Sequence, residues 1–164
     1  MRKPTAIVYT SNTGFTAKYA QMLARASGIP AYDTKERWER PPAGAAVLYL
    51  GWLCAGGIKG LKAARGRYRL QAVCGVGLTP ADEGYAQTVR AQNHLEELPF
   101  FYLQGGYAPE KLTGPYRLMM GAVSKLAGTV QDQTGDAMAA LFSQGSNAVS
   151  LEALAPILAW LDQP

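Results

Sequence analysis

At 164 residues, with a formal net charge of +4, 48% hydrophobic residues and two cysteines, the chain is long enough for one domain with a sizeable core. Cys54 and Cys74 are too few and too far apart for a zinc motif or a disulfide framework, which points to a reducing compartment. No run approaches the roughly 20 apolar residues of a spanning helix, and MRKPTAIVYT turns to hydroxyl residues too early for a secretory core, so a cytoplasmic protein is expected.

In chain order, TAIVYT (5–10) is a short β-branched apolar run of the kind a buried parallel strand shows. From Thr13 or Gly14 to Ala26, Ala17, Ala20, Met22, Leu23 and Ala26 recur at helical spacing, and Gly28 stops the run. IPAYD reads as a weak second strand. AAVLYLG (45–51) is a strong third, set off from the charged KERWER stretch by a Pro-Pro-Ala-Gly turn. LQAVCGVGL (70–78) is the fourth, and Pro80 with Asp82 opens a helix running towards Leu95. PFFYLQGG (99–106) is the fifth. Tyr116, Met119, Met120, Val123 and Leu126 place a helix over 111–128. A last helix starts after Ser150 as N-cap and ends near Leu161, with Pro156 kinking or delaying it.

Strands alternating with helices imply an α/β fold, a parallel sheet covered on both faces. No repeat or second domain is visible, so a single domain spanning 1–164 is expected. Ligands of such sheets bind where strands end and the strand order reverses.

Charge is uneven. Through Phe100 there are 13 basic and 7 acidic residues, and after it 3 basic and 5 acidic. Lys59, Lys62, Arg65, Arg67 and Arg69 form a run with no acid before Asp82. It reads either as a solvated face or as a docking surface for an acidic partner, an anionic substrate or acidic lipid headgroups.

The loop after the first strand, Ser11-Asn12-Thr13-Gly14-Phe15-Thr16, leads into a helix, so backbone N–H groups and the positive end of a helix dipole converge on it. Its hydroxyls and amide add donors, and Gly14 allows close approach. It has neither a Gly-Lys-Ser/Thr ending nor a GxGxxG, which excludes the two commonest nucleotide loops. No basic residue lies between Thr10 and Ala17, so dipoles and hydroxyls alone would neutralise an anion here. The plain alternative is a helix N-terminus capped by Thr13.

In place and composition this loop resembles the Ser/Thr-x-Thr-Gly-x-Thr phosphate loop of the flavodoxin family. The resemblance implies a flavodoxin-like, doubly wound five-stranded parallel sheet of order 2-1-3-4-5 with noncovalent FMN, its phosphate on Ser11, Asn12, Thr13, Gly14, Phe15 and Thr16. By position, the loop from Trp52 to Ile58 would cover one side of the isoalloxazine ring, with Trp52, Leu53, Cys54, Ala55, Gly56 and Gly57 as contacts. The loop from Gly77 to Glu83 would close the other side or edge through Gly77, Leu78, Thr79 and Asp82. A flavin reduced at N5 needs a carbonyl acceptor, and the Ala55–Gly56 or Gly56–Gly57 peptide is the candidate to flip and supply it.

Trp52 is a stacking aromatic or a core residue covering the site, and Cys54 lines the ring or is a small buried hydrophobe. Cys74 is expected in the core. His94 has no assigned role, and Asp82 and Glu83, the acids of the ring loops, are as well placed to start a helix as to act on a proton. No catalytic residue, metal site or nucleic-acid partner is expected.

The chain departs from the usual acidic flavodoxin in its basic run, which would stabilise the reduced anion and raise the potential. It departs again in an insertion at about 107–128, where Tyr107, Tyr116 and Arg117 resemble the aromatic and basic insertion of flavodoxin-type, quinone-dependent protoporphyrinogen dehydrogenases. The expected function is electron transfer between redox partners by bound FMN, with a redox protein of acidic surface as partner. The alternative is a flavin-dependent oxidoreductase passing electrons to a quinone in peripheral contact with a membrane.

Overall fold

The computed structural model describes residues 2–111 and 146–164, with Pro115, Leu118 and Ala122 between them. Two compact units are present, Met1–Gly105 with Val149–Pro164, and Gly106–Ala148.

The first unit contains the sheet. Five parallel strands, β1 (Ala6–Thr10), β2 (Ala31–Asp33), β3 (Ala46–Cys54), β5 (Arg69–Gly77) and β6 (Phe100–Gln104), lie in the order β2-β1-β3-β5-β6. Counting the parallel strands alone, this is the flavodoxin-like order 2-1-3-4-5. A two-residue strand, β4 (Gly57–Ile58), pairs antiparallel with the end of β3.

Four helices, α1 (Phe15–Ser27), α2 (Leu61–Arg67), α3 (Glu83–Gln92) and α4 (Ala155–Leu161), flank the sheet. Side chains of successive strand residues point to opposite faces, so each central strand feeds two cores. Ile7, Tyr9, Leu48, Leu50, Cys74 and Leu103 pack with Tyr19, Ala20 and Leu23 of α1 and Ile157 of α4. Ala6, Val8, Val47, Tyr49 and Val73 pack with Leu61 and Ala64 of α2 and Val89 of α3. Burial on both faces is the reason these strands read as continuous apolar runs.

Helix α1 buries Thr16, Tyr19, Ala20 and Leu23, and Gly28 ends it at φ 73°, its N–H donating to Ala24 O at 2.9 Å. Cys74 is fully buried, as expected of a core residue. At the far end Ser150 Oγ accepts from Ala153 N at 3.2 Å, and a 3-10 turn (Glu152–Leu154) precedes α4, which starts only where Pro156 fits its first turn.

Two features depart from expectation. β3 continues three residues past Gly51 and turns back through β4, because Lys59 N donates to Trp52 O at 2.9 Å and extends the hairpin. The middle of the basic run, Lys62, Arg65 and Arg67, then lies on α2, whose buried apolar contribution is Leu61 and Ala64, too sparse to show a helical period.

In the second unit β7 (Gly106–Tyr107) pairs antiparallel with β8 (Ser146–Asn147). The helix expected over 111–128, with Tyr116, Arg117, Met119, Met120, Val123 and Leu126, lies for the most part outside the described residues. No helix of the described residues is long and apolar enough to cross a membrane.

Candidate functional site

β1 and β3 are neighbours, Thr10 opposite Gly51, and β3 and β5 are neighbours up to Trp52 opposite Val76. The loops that follow these strands, 11–16, 55–56 and 78–82, therefore leave the same end of the sheet at adjacent positions. The strand order reverses between β1 and β3, where doubly wound sheets hold their ligands.

Helix α1 begins after Gly14, which occupies the N-cap at φ 101° with no side-chain cap of its own. The cap expected from Thr13 comes instead from Ser11. This serine is 6% exposed, and its Oγ accepts from Gly14 N at 3.2 Å and Ala17 N at 3.3 Å. A hydroxyl has two lone pairs and one hydrogen, so Ser11 closes the loop from inside and still has a proton to donate. The first N–H groups of any helix lack intrahelical acceptors. Here Ala17 N is taken by Ser11 and Lys18 N by Gly14 O at 3.0 Å, which leaves those of Phe15 and Thr16 facing out of the helix end.

Asn12 is the anomaly. Its Nδ2 is buried and has no hydrogen-bond partner. Such an orphan costs on the order of 1–3 kcal/mol, and buried amides are otherwise paired. A Cβ built on Gly14 meets nothing within 4 Å, so the space beside Gly14 is open. Lys18, the nearest basic residue along the chain, places Nζ 5.4 Å from the centroid of the Phe15 ring.

At the end of β3, Ala55 (φ 50°) and Gly56 (φ 80°) form the two-residue loop of the β3–β4 hairpin, with the positive φ pair of a type I′ turn. Asn93, at the C-cap of α3, holds this turn from 37 positions away: Nδ2 donates to Gly56 O at 2.8 Å and Oδ1 accepts from Ile58 N at 2.9 Å. Its Nδ2 also reaches Val89 O at 2.8 Å. Turning over the Gly56–Gly57 peptide gives up the Asn93 bond. Turning over Ala55–Gly56 puts Ala55 in a conformation open only to glycine without strain. Glycine by itself thus does not make either candidate flip cheap. Replacing Asn93 by alanine is expected to cost about 2 kcal/mol of stability and to raise amide exchange at Ile58 selectively, measured by hydrogen exchange; unchanged protection of Ile58 would show that the hairpin holds without it.

The loop after β5 is stitched down by β6. Tyr102 Oη donates to Thr79 O at 2.6 Å, Gln104 Nε2 donates to Leu78 O at 3.3 Å, and Tyr85 meets the Tyr102 ring edge-on at 5.3 Å. Gly77 makes this possible, since a Cβ there would stand 2.7 Å from Tyr102 Oη and 2.9 Å from Leu53 Cδ1. Burial pushes the Tyr102 phenol well above its usual range, and the neighbouring Tyr85 adds to it. Asp82 is engaged in capping α3, its Oδ1 accepting from Tyr85 N at 2.9 Å. Trp52, Leu53 and Cys54 are half-buried strand residues at the end of β3, and Thr79 is exposed.

Tyr102, Gln104, Tyr19 and Asn93 escaped the sequence reading. Tyr19 Oη donates to Gln104 O at 2.5 Å and ties α1 to the end of β6. Each acts through a partner more than 20 positions away, which no local pattern reports.

Beneath the site runs a chain of hydroxyls. Tyr49 Oη donates to Lys59 O at 2.6 Å and, with its single hydrogen so used, accepts from Thr10 Oγ1 at 2.7 Å; Thr10 in turn accepts from Thr34 Oγ1 at 2.9 Å. Burial pushes the Tyr49 phenol up to about 12, against the lowering effect of the Thr10 bond. The unfolded phenol titrates near 10, so between pH 10 and 12 the unfolded state loses protons that the folded state keeps, and stability falls as pH rises. The expected loss through that window is roughly 3 kcal/mol at most. Tyr49→Phe is expected to flatten the fall, read as urea midpoints at pH 8 and about 11; an unchanged slope would assign the alkaline transition elsewhere.

The basic residues 59–69 are partly structural. Arg65 Nη2 donates to Asn93 O at 3.0 Å and His94 O at 2.6 Å, where a cation also suits the C-terminus of α3. Arg69 Nε donates to Gly44 O at 2.9 Å. Among the described residues no group of three His, Cys, Asp or Glu side chains could hold a metal.

No family model matches this chain, and no curated protein matches it significantly. The sheet order is flavodoxin-like, and the loops after β1 and β3 flank its switch point, with the loop after β5 beside them.

Proposed function

We propose that this chain binds FMN noncovalently and passes electrons between redox partners. The observation that supports this most directly is the buried, unpartnered amide of Asn12 in a loop whose helix-end N–H groups are open. A phosphate there would accept from Asn12 Nδ2, from the N–H groups of Phe15 and Thr16 and from the Ser11 hydroxyl, without a basic side chain. The donor set fits an anion, and Gly14 leaves space for it.

The ring would lie between the β3–β4 turn and the loop after β5, within reach of Trp52 and Thr79. Bound FMN supplies one- and two-electron redox chemistry, and the protein supplies binding, exposure and electrostatic setting. Ser11 fixes the loop, Asn93 holds the hairpin, and Tyr102 with Gln104 holds the opposite loop. Asp82 caps α3 through Oδ1 and Glu83 opens its first turn, so the two acids of the ring loop have a helix-starting role, and electron carriage, which needs no general acid or base, is the preferred reading. The exposed positive charge of α2 suits a partner with an acidic surface.

Spectral titration of the purified chain with FMN tests the reading. Saturation at one equivalent with quenched flavin fluorescence is expected, and riboflavin, which lacks the phosphate, should bind about 100-fold more weakly. A chain that takes up no FMN overturns the proposal, and steady turnover of a small-molecule donor with quinone would move it to the flavin-dependent oxidoreductases.

A further inference from the structure

A second concavity lies on the α2 face of the sheet, between the β1–β2 edge and α2, with a volume of about 260 Å³. At about 30 Å³ per water it has room for roughly nine waters, or for one substituted ring. Its polar lining is Thr10, Asp33, Thr34, Arg40 and Arg67, and Tyr32 and Tyr68 line it as well.

Both arginines are held in place by groups that leave their charge uncompensated. Arg40, one of the lining residues, donates Nε to Glu36 O at 2.6 Å and Nη2 to Thr34 O at 2.7 Å, which restrains its guanidinium. Arg67 donates Nε to Tyr68 Oη at 3.1 Å and lies 5.5 Å from the Tyr68 ring centroid. A guanidinium has five N–H donors, so each keeps unused N–H groups and a full positive charge. Asp33, whose Oδ1 accepts from Lys35 N at 2.9 Å, offsets only one of the two positive charges, so the lining keeps an excess of positive charge. Thr10 and Thr34 spend their hydroxyls on each other at 2.9 Å and on the Tyr49 chain.

Two fixed guanidinium groups select an anion, and guanidinium geometry favours a carboxylate or a phosphate. The remaining lining decides between them. The walls are aromatic and aliphatic, with Val8 and Ala64 alongside the tyrosines, and would desolvate a compact dianion without replacing its hydration. The Asp33 carboxylate adds repulsion that grows with the ligand's second charge. A planar apolar body bearing one negative charge meets both demands.

We propose that this cavity binds a small planar monocarboxylate, its carboxylate on Arg40 and Arg67 and its ring against Tyr32 and Tyr68. The site shares no residue with the Ser11–Thr16 loop, so it stands or falls independently of flavin binding.

The full chain, titrated calorimetrically with benzoate, benzamide and inorganic phosphate, tests it. Benzoate is expected to bind, with benzamide, its neutral counterpart, and phosphate each weaker by roughly tenfold or more. Arg67→Gln should weaken benzoate by about tenfold while leaving the FMN titration unchanged, with only the small stability loss of the Tyr68 contact. Arg40→Gln should do the same, but because Arg40 also ties down two loop carbonyls, Arg67→Gln is the deciding variant. The proposal is overturned if the parent chain does not bind benzoate, if benzamide or phosphate binds as tightly, or if a folded Arg67→Gln variant binds benzoate like the parent.

Discussion

Asn12→Leu is expected to leave the flavin-free protein as stable as the parent or more so, and to weaken FMN binding by about one to two orders of magnitude. The two effects have one origin. In the flavin-free fold Asn12 Nδ2 is buried without an acceptor, and leucine of similar size removes the orphan rather than a bond. Relief of an unsatisfied amide is worth about 1–3 kcal/mol, which for a chain of this length raises the thermal midpoint by about 2–4 °C for each kcal/mol. In the FMN complex the same amide would donate to a charged phosphate, a bond worth about 1.5–3 kcal/mol. Ser11→Ala supplies the contrast, because Ser11 Oγ accepts from Gly14 N and Ala17 N within the protein itself. That variant should lose both stability, by about 1–2 kcal/mol, and FMN affinity. Thermal melts without flavin and fluorescence titrations with it measure both quantities. A destabilised Asn12→Leu that binds FMN like the parent would show that the amide serves the fold and not a ligand.

The legible part of the fold is the part whose burial repeats locally. Ile7, Val8, Val47 to Leu50 and Ala72 to Val76 are buried on two faces and announce central strands as apolar runs. Helix α1 announces itself by period and by Gly28. Helix α2 gives no such signal, since it buries only Leu61 and Ala64 among the basic residues Lys62, Arg65 and Arg67, and its ends rest on Gly60 and Tyr68. The hairpin is equally silent. Ala55 at φ 50° is not a residue that favours the left-handed region, and the conformation persists because Asn93, supplied by α3, bonds both Gly56 and Ile58. In the site, the loop Ser11–Thr16 is readable from its composition and position as the turn from β1 into the start of α1. That Ser11 and not Thr13 closes it is not, because the choice depends on Gly14 adopting φ 101°. Of the two acids in the ring loop, Asp82 caps α3 through Oδ1 and Glu83 is its first residue, the helix-starting role open to both in the sequence.

Gly60→Ala is expected to destabilise the protein by about 3–4 kcal/mol, and Gly14→Ala by about 1–2 kcal/mol. Both glycines have positive φ, 79° and 101°, so both substitutions incur the cost of a side chain in the left-handed half of the map. They differ in what the new Cβ meets. At Gly14 nothing lies within 4 Å, whereas at Gly60 the Cβ would run into Tyr49 Oη and Thr10 Oγ1. Those two oxygens are bonded to each other and onward to Lys59 O and Thr34 Oγ1, so neither can yield without orphaning a buried polar group. Removing one of the obstacles in advance separates steric from conformational cost. In a Tyr49→Phe background Gly60→Ala should cost less than in the parent, with a coupling of about 1–2 kcal/mol, whereas Gly14→Ala should add independently. Urea midpoints of the single and double variants measure the cycle. Additive losses at positions 49 and 60 would show that backbone strain alone sets the cost of Gly60→Ala and that the hydroxyl chain bends out of the way.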